Sequence, residues 1–190
     1  MPLTEPINIE KRETKEFPPI PKDIYQVELL DISIQERPTY DTRLKSKEEQ
    51  IIEKVFCFQF TLLEGKDKDG KDLRGRNVWA NFIPSYLYIS KKNGKNKLYR
   101  IVEALLGHEL TPTEEATLDI SILNGLIGKQ CRLSVEPIIK GDKHFDSPTD
   151  WFKTNNLLAS LTDEEKETAR VKPKEEKEDE KEIDLTEIPF

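Results

Sequence analysis

With 190 residues, 35% apolar, 35% charged and a formal net charge of −7, the chain has apolar material for one core but not for a globule that uses its whole length. Two cysteines without a CxxC and two histidines without metal-ligand spacing argue against a zinc site and for buried free thiols in a reducing cytoplasm; no signal-like start and no run of about 18 apolar residues is present, so no membrane is expected. The acidity is uneven, because residues 161–190 hold 12 acidic and 6 basic residues and the rest carries only −1.

Residues 1–20 are polar and end in Pro18 and Pro19, so they are expected to form an N-terminal lead-in without regular structure. A first strand is expected over Asp23 to Gln35. Its apolar positions, Tyr25, Val27 and Leu29, then Leu30, Ile32 and Ile34, change parity at Leu29 and Leu30, which predicts a bulge there. The charged stretch 37–50 reads as a loop, with Tyr40 and Arg43 as its residues suited to stacking or phosphate contact.

Residues 51–84 then read as a long hairpin about the charged, glycine-containing turn KDKDGKD. In its first strand Ile52, Phe56, Phe58, Phe60 and Leu62 share the face expected to be buried, opposite Glu53, Cys57, Gln59 and Thr61. In the second, Val78, Ala80 and Phe82 are expected inward, leaving Asn77, Trp79 and Asn81 outward. An outward Trp between two amides is either a platform on which an unpaired base stacks or a ring covered by a loop or helix.

The next segment carries Tyr86 and Tyr88 and a basic loop with Lys91, Lys92, Lys95, Lys97 and Arg100, free of acids. Together with Arg74 and Arg76 at the start of the second hairpin strand, and with Arg132, these cations suit a phosphate backbone; a solvated lysine loop is the bland alternative. Leu98, Ile101, Val102, Leu105 and Leu106 follow helical spacing between Asn96 as N-cap and Gly107 as terminator. Thr111, Pro112 and Glu114 match a capping box that opens a second, shorter helix. A strand with Cys131, Leu133 and Val135 inward and Arg132, Ser134 and Glu136 outward follows, and a fifth strand is expected between Lys143 and Lys153.

The order strand, strand, strand, helix, strand, strand predicts a mainly β fold with one or two helices. Over residues 21–160 it matches a five-stranded OB-fold barrel with its helix between strands 3 and 4, whose second and third strands bind single strands or oligosaccharides. From 161 onward charges dominate and a disordered acidic tail is expected, yet it ends in EIDLTEIPF. Asp184 and Glu187, then Ile188, Pro189 and the terminal Phe190, offer an apolar group, a free carboxylate and flanking acids that a pocket with a basic rim can hold. A purely solubilising tail would not need that ending.

This terminus resembles the acidic tip of bacterial single-stranded DNA-binding proteins, with Leu185 and Thr186 standing where that pattern has more acids. The stretches GRNVWANF and LNGLIGKQCRLSVE, within roughly 21–158, resemble phage-encoded single-stranded DNA-binding proteins of replication and recombination modules. The resemblance implies a non-catalytic, cofactor-free protein of the bacterial host cytoplasm that coats single-stranded DNA, serving replication, recombination and repair. It also implies that the tip recruits replication or recombination proteins. Homo-oligomerisation is compatible with it. Two rivals stand beside this expectation: a metal-dependent nuclease using Asp142, His144, Asp146 and Asp150, and an OB-like adaptor that binds only protein.

Overall fold

A computed structural model describes residues 18–39, 41–43, 45–140 and 143–169. Five strands, β1 (Asp23–Pro38), β2 (Ile52–Leu62), β3 (Asn77–Pro84), β6 (Gln130–Lys140) and β7 (Lys143–Phe152), form one antiparallel sheet in the order β3-β2-β1-β6-β7. Between β3 and β6 lie a small hairpin of β4 (Ile89–Ser90) and β5 (Gly94–Lys95) and three helices, α1 (Lys97–Leu106), α2 (Pro112–Thr117) and α3 (Ile120–Asn124). A last helix, α4, covers Asp163–Ala169. The fold is therefore mainly β, with more short helices than the one or two expected.

The bulge predicted in β1 is present. Leu29 opposes Phe60 and Asp31 opposes Gln59, so Leu30 is left without an opposite residue. Tyr25, Val27 and Leu29 enter the main core, while Leu30 joins a separate cluster with Leu63 and Leu161. The core proper is built on Phe58, Phe60, Leu62, Val78, Leu133 and Val135, all fully buried, and is covered by the apolar stripe of α1. Both ends of α1 are as the sequence predicts: the Asn96 side chain accepts from Tyr99 N–H, and Gly107 takes a left-handed φ of 82° that a side chain would strain. The capping box at Thr111 and Glu114 is complete.

Four expectations are corrected. First, the sheet does not close into a barrel: β3 and β7 are its outer strands and share no backbone ladder. They are fastened at one end by side chains, with Arg76 Nη2 3.0 Å from Asp146 Oδ2 while Asp146 Oδ1 accepts from Ile20 N–H at 2.8 Å. Second, Phe82 points out, 53% exposed, because the β2–β3 register shifts between Phe56 and Phe58 and brings Ile83 inward instead. Third, the outer face of β2 is not wet, since Cys57, Gln59 and Thr61 are buried, and Ile52, expected inward, is 52% exposed where the β1–β2 ribbon runs past the other strands.

The fourth correction concerns the C-terminal boundary. Residues 161–169 belong to the folded body: Leu161 is buried and Thr162 caps α4, accepting from Glu165 N–H while the Glu165 carboxylate accepts from Thr162 N–H. The preceding segment is bound along the outer face of the sheet, where Gln26 and Gln130 bond each other and the Asn156 and Leu158 backbone. Lys166 Nζ then stands 2.9 Å from Oε1 of the buried Glu28. The expected lead-in up to 17, Tyr40, Asp142 and the tail from 170, including the tip from Asp184 to Phe190, lie outside the described residues.

Candidate nucleic-acid interface

The two unpaired edges, β3 and β7, approach each other and leave a groove of about 450 Å³ between them. The outer face of β3 supplies one wall. Asn77 opposes Thr61 and Trp79 opposes Gln59 on this face, and Asn81 accepts from the Cys57 thiol, so β2 holds the wall from behind. Trp79 is neither sealed nor fully open, being half-buried among these neighbours. Phe82 continues the wall. The other wall comes from the β6–β7 hairpin, with Ile138, His144, Phe145, Ser147 and Pro148. Phe145 is 52% exposed and Ile138 41%, and Lys97 at the head of α1 adds an exposed cation to the rim. An aromatic groove with amides and a cation at its margin can receive flat, unpaired rings.

The sequence-predicted residues separate into two groups. Asn77, Trp79 and Asn81 line the groove together. Tyr86 and Tyr88 are exposed at 59% and 56% but do not line it; Tyr86 borders a second hollow of about 300 Å³ with Phe56, Leu98 and Leu123. Lys91 and Lys92 are exposed at the β4–β5 turn, and Arg132 is exposed on the outer face of β6 opposite Phe152, away from the groove lining.

The remaining cations are engaged within the protein. The Arg74 guanidinium donates to the Leu63, Ala159 and Ser160 carbonyls, each at 3.1 Å, and meets Glu165 at 3.3 Å, so it clamps the C-terminal segment. Arg76 donates to the Pro18 carbonyl and holds Asp146. Lys95 is 2.6 Å from Glu103 and 3.5 Å from Glu109; the hydrogen bond to Glu103 raises its pKa and keeps the ammonium charged.

Sequence reasoning missed Phe82, Phe145 and His144 as groove residues and placed Lys97 only among the cations of the basic loop. Phe145 and His144 carry no periodic signal, and only the packing of β7 beside β3 brings them to Trp79. The Thr162/Glu165 capping box, by contrast, was a readable sign that the body continues past 160. Of the acids proposed for a nuclease, Asp146 is paired with Arg76 and Asp150 accepts from Arg100 at 3.1 Å, and among the described residues no group of three or more His, Cys, Asp or Glu is placed to hold a metal ion. Cys57 and Cys131 are both buried and free; burial raises both pKa values, that of Cys131 to about 12.

No protein-family model matches the chain, and no curated protein matches it in sequence. No helix among the described residues is long and apolar enough to cross a membrane.

Proposed function

We propose that this chain is a non-catalytic single-stranded DNA-binding protein that coats single strands during replication or recombination and recruits partner proteins through its C-terminal tip. The observation that carries the reading is the half-buried indole of Trp79, set with Asn77, Asn81 and the exposed rings of Phe82 and Phe145 in a groove between two unpaired strand edges. Each stacked base contributes about 1–3 kcal/mol and every base has a flat face, so binding is tight with little sequence preference. A duplex keeps its faces stacked internally and is bound weakly.

The architecture supports an OB-type domain. Cutting a five-stranded Greek-key barrel open between its third and last strands yields this strand order, with a helix ahead of the fourth strand. The side-chain fastening of Arg76 to Asp146 holds the two edges near each other, and a groove remains between them. Lys97, Lys91 and Lys92 are exposed for phosphates, and each phosphate neutralised contributes about −0.7 to the slope of log affinity against log salt. The terminal Ile188, Pro189 and Phe190, with Asp184 and Glu187, supply the recruiting element.

The test is fluorescence anisotropy with labelled oligothymidine and with duplex DNA at about 50 and about 200 mM salt. The reading predicts a strong preference for the single strand and a loss of affinity with salt. Equal affinity for both forms counts against it, as does degradation of the oligonucleotide with magnesium or manganese, and no binding to either leaves the protein-only adaptor.

A further inference from the structure

We infer that Phe82 is a base-holding residue at one end of the groove, kept in a strained, outward conformation so that its ring can take an unpaired nucleobase. This rests on the single-stranded DNA reading above and names one side chain of that same site. Phe82 has φ of +60° and is the one non-glycine residue with positive φ among the described residues. A left-handed backbone is ordinary for glycine and tolerable for asparagine, but for a bulky side chain it is an outlier that the surroundings must enforce.

What enforces it is visible. Ala80 and Ile83 are both buried, so two residues, Asn81 and Phe82, occupy the space where a regular strand places one. The surplus residue is pushed into the left-handed region and its side chain outward. Glycine at this position would satisfy the bulge without strain. Phenylalanine instead carries an unfavourable φ and a ring 53% exposed to water, with no gain to the core from either.

The ring is also backed. The Arg37 guanidinium lies 4.9 Å from its centroid, and Arg37 is held there by Glu53, with both Nε and Nη2 2.9 Å from Oε1. One face is thus covered by a fixed cation, and Phe82 lines the groove together with Trp79 and Phe145. A cation-backed aromatic ring on a groove wall accepts a planar, polarisable ring by stacking. The chemical class is an unpaired base, because a paired one does not present its face.

The experiment compares full-length wild type, Phe82→Gly, Phe82→Ala, Phe82→Trp and Trp79→Ala in two measurements. Affinity is measured for oligothymidine and for an abasic strand of the same length, and stability by urea unfolding. Stacking on one ring predicts that both truncations weaken oligothymidine binding about 5- to 150-fold, shrink the ratio of intact to abasic affinity, and leave abasic binding unchanged. Phe82→Trp is expected to keep the ratio. Strain predicts a higher urea midpoint for Phe82→Gly than for Phe82→Ala, since both lack the ring and only glycine is at ease at that φ.

Wild-type affinity in Phe82→Gly, with Trp79→Ala still impaired, would overturn the inference while sparing the proposed function. Equal midpoints for the Gly and Ala variants would overturn the strain argument. Absence of oligothymidine binding by wild type would remove the functional reading itself.

Discussion

Replacing Lys166 by Met is expected to destabilise the fold far more than an exposed helical lysine normally would, because Lys166 is paired with the buried Glu28 carboxylate. The Glu28 side chain is 1% exposed and that of Lys166 26%, with 2.9 Å between Nζ and Oε1. Removing one partner of a fully buried pair costs about 3–5 kcal/mol. The quarter exposure of Lys166 lets water reach part of the vacated space, which lowers the expectation to about 2–3 kcal/mol. For a body of this size that is a fall in Tm of about 5–10 °C. The double variant Glu28→Gln, Lys166→Met leaves no stranded charge and should return to within about 1 kcal/mol of wild type. Equilibrium urea unfolding followed by near-UV circular dichroism reads all three, with the exposed Lys92→Met as control. A loss below about 0.5 kcal/mol in Lys166→Met, no larger than the control, refutes the docking of α4 on the sheet.

Truncation reads the same boundary differently. A chain ending at Ser160 loses Leu161, Glu165 and Lys166 and is expected to be clearly less stable than the full chain, whereas one ending at Ala169 keeps its thermal stability, binds oligothymidine more tightly and no longer captures replication proteins; differential scanning calorimetry and pull-down check each arm. At α2, the hydrogen bond to Glu114 raises the His108 pKa above 6.5, and the Thr111 backbone, followed by His108, lowers that of Glu114 to about 2. The His108 contribution is therefore complete below pH 6.5 and lost as pH rises through the raised value, and that of Glu114 is present above pH 4.5 and lost as pH falls towards about 2; His108→Asn should abolish the upper transition in an NMR titration of α2 amides. Both cysteines should resist iodoacetamide in the native state and react on unfolding, since burial holds both thiols protonated; fast native labelling of Cys131 contradicts its place in the core.

Local rules carried much of the fold. The parity change at Leu29 and Leu30 announced a bulge, Asn96 and Gly107 bounded α1, and the alternation of Cys131, Leu133 and Val135 set the inward face of β6. Each is written in residues within one turn or strand of each other. What escaped depends on partners far along the chain. Arg74 reads as a phosphate ligand until the carbonyls of Ala159 and Ser160 arrive beneath it, and Leu158 and Leu161 look stranded in a polar stretch until Leu30 and Leu63 are placed under them. The outward turn of Phe82 follows from a register shift against β2 that no pattern in β3 discloses. Of the site itself, the β3 wall with Asn77, Trp79 and Asn81 was legible from alternation; the β7 wall with His144 and Phe145 was not, because it exists only through the approach of two strands about 65 residues apart.

The most direct test of a groove that takes unpaired bases is intrinsic tryptophan fluorescence during titration with oligothymidine, in wild type and Trp79→Ala. Trp151 is 5% exposed in the core and serves as an internal reference, so the signal belongs to Trp79. The account predicts quenching in the wild type, little response to duplex DNA, and loss of both the quench and most of the affinity in Trp79→Ala. An unquenched indole at saturating oligothymidine, or a variant that binds as tightly as wild type, contradicts it.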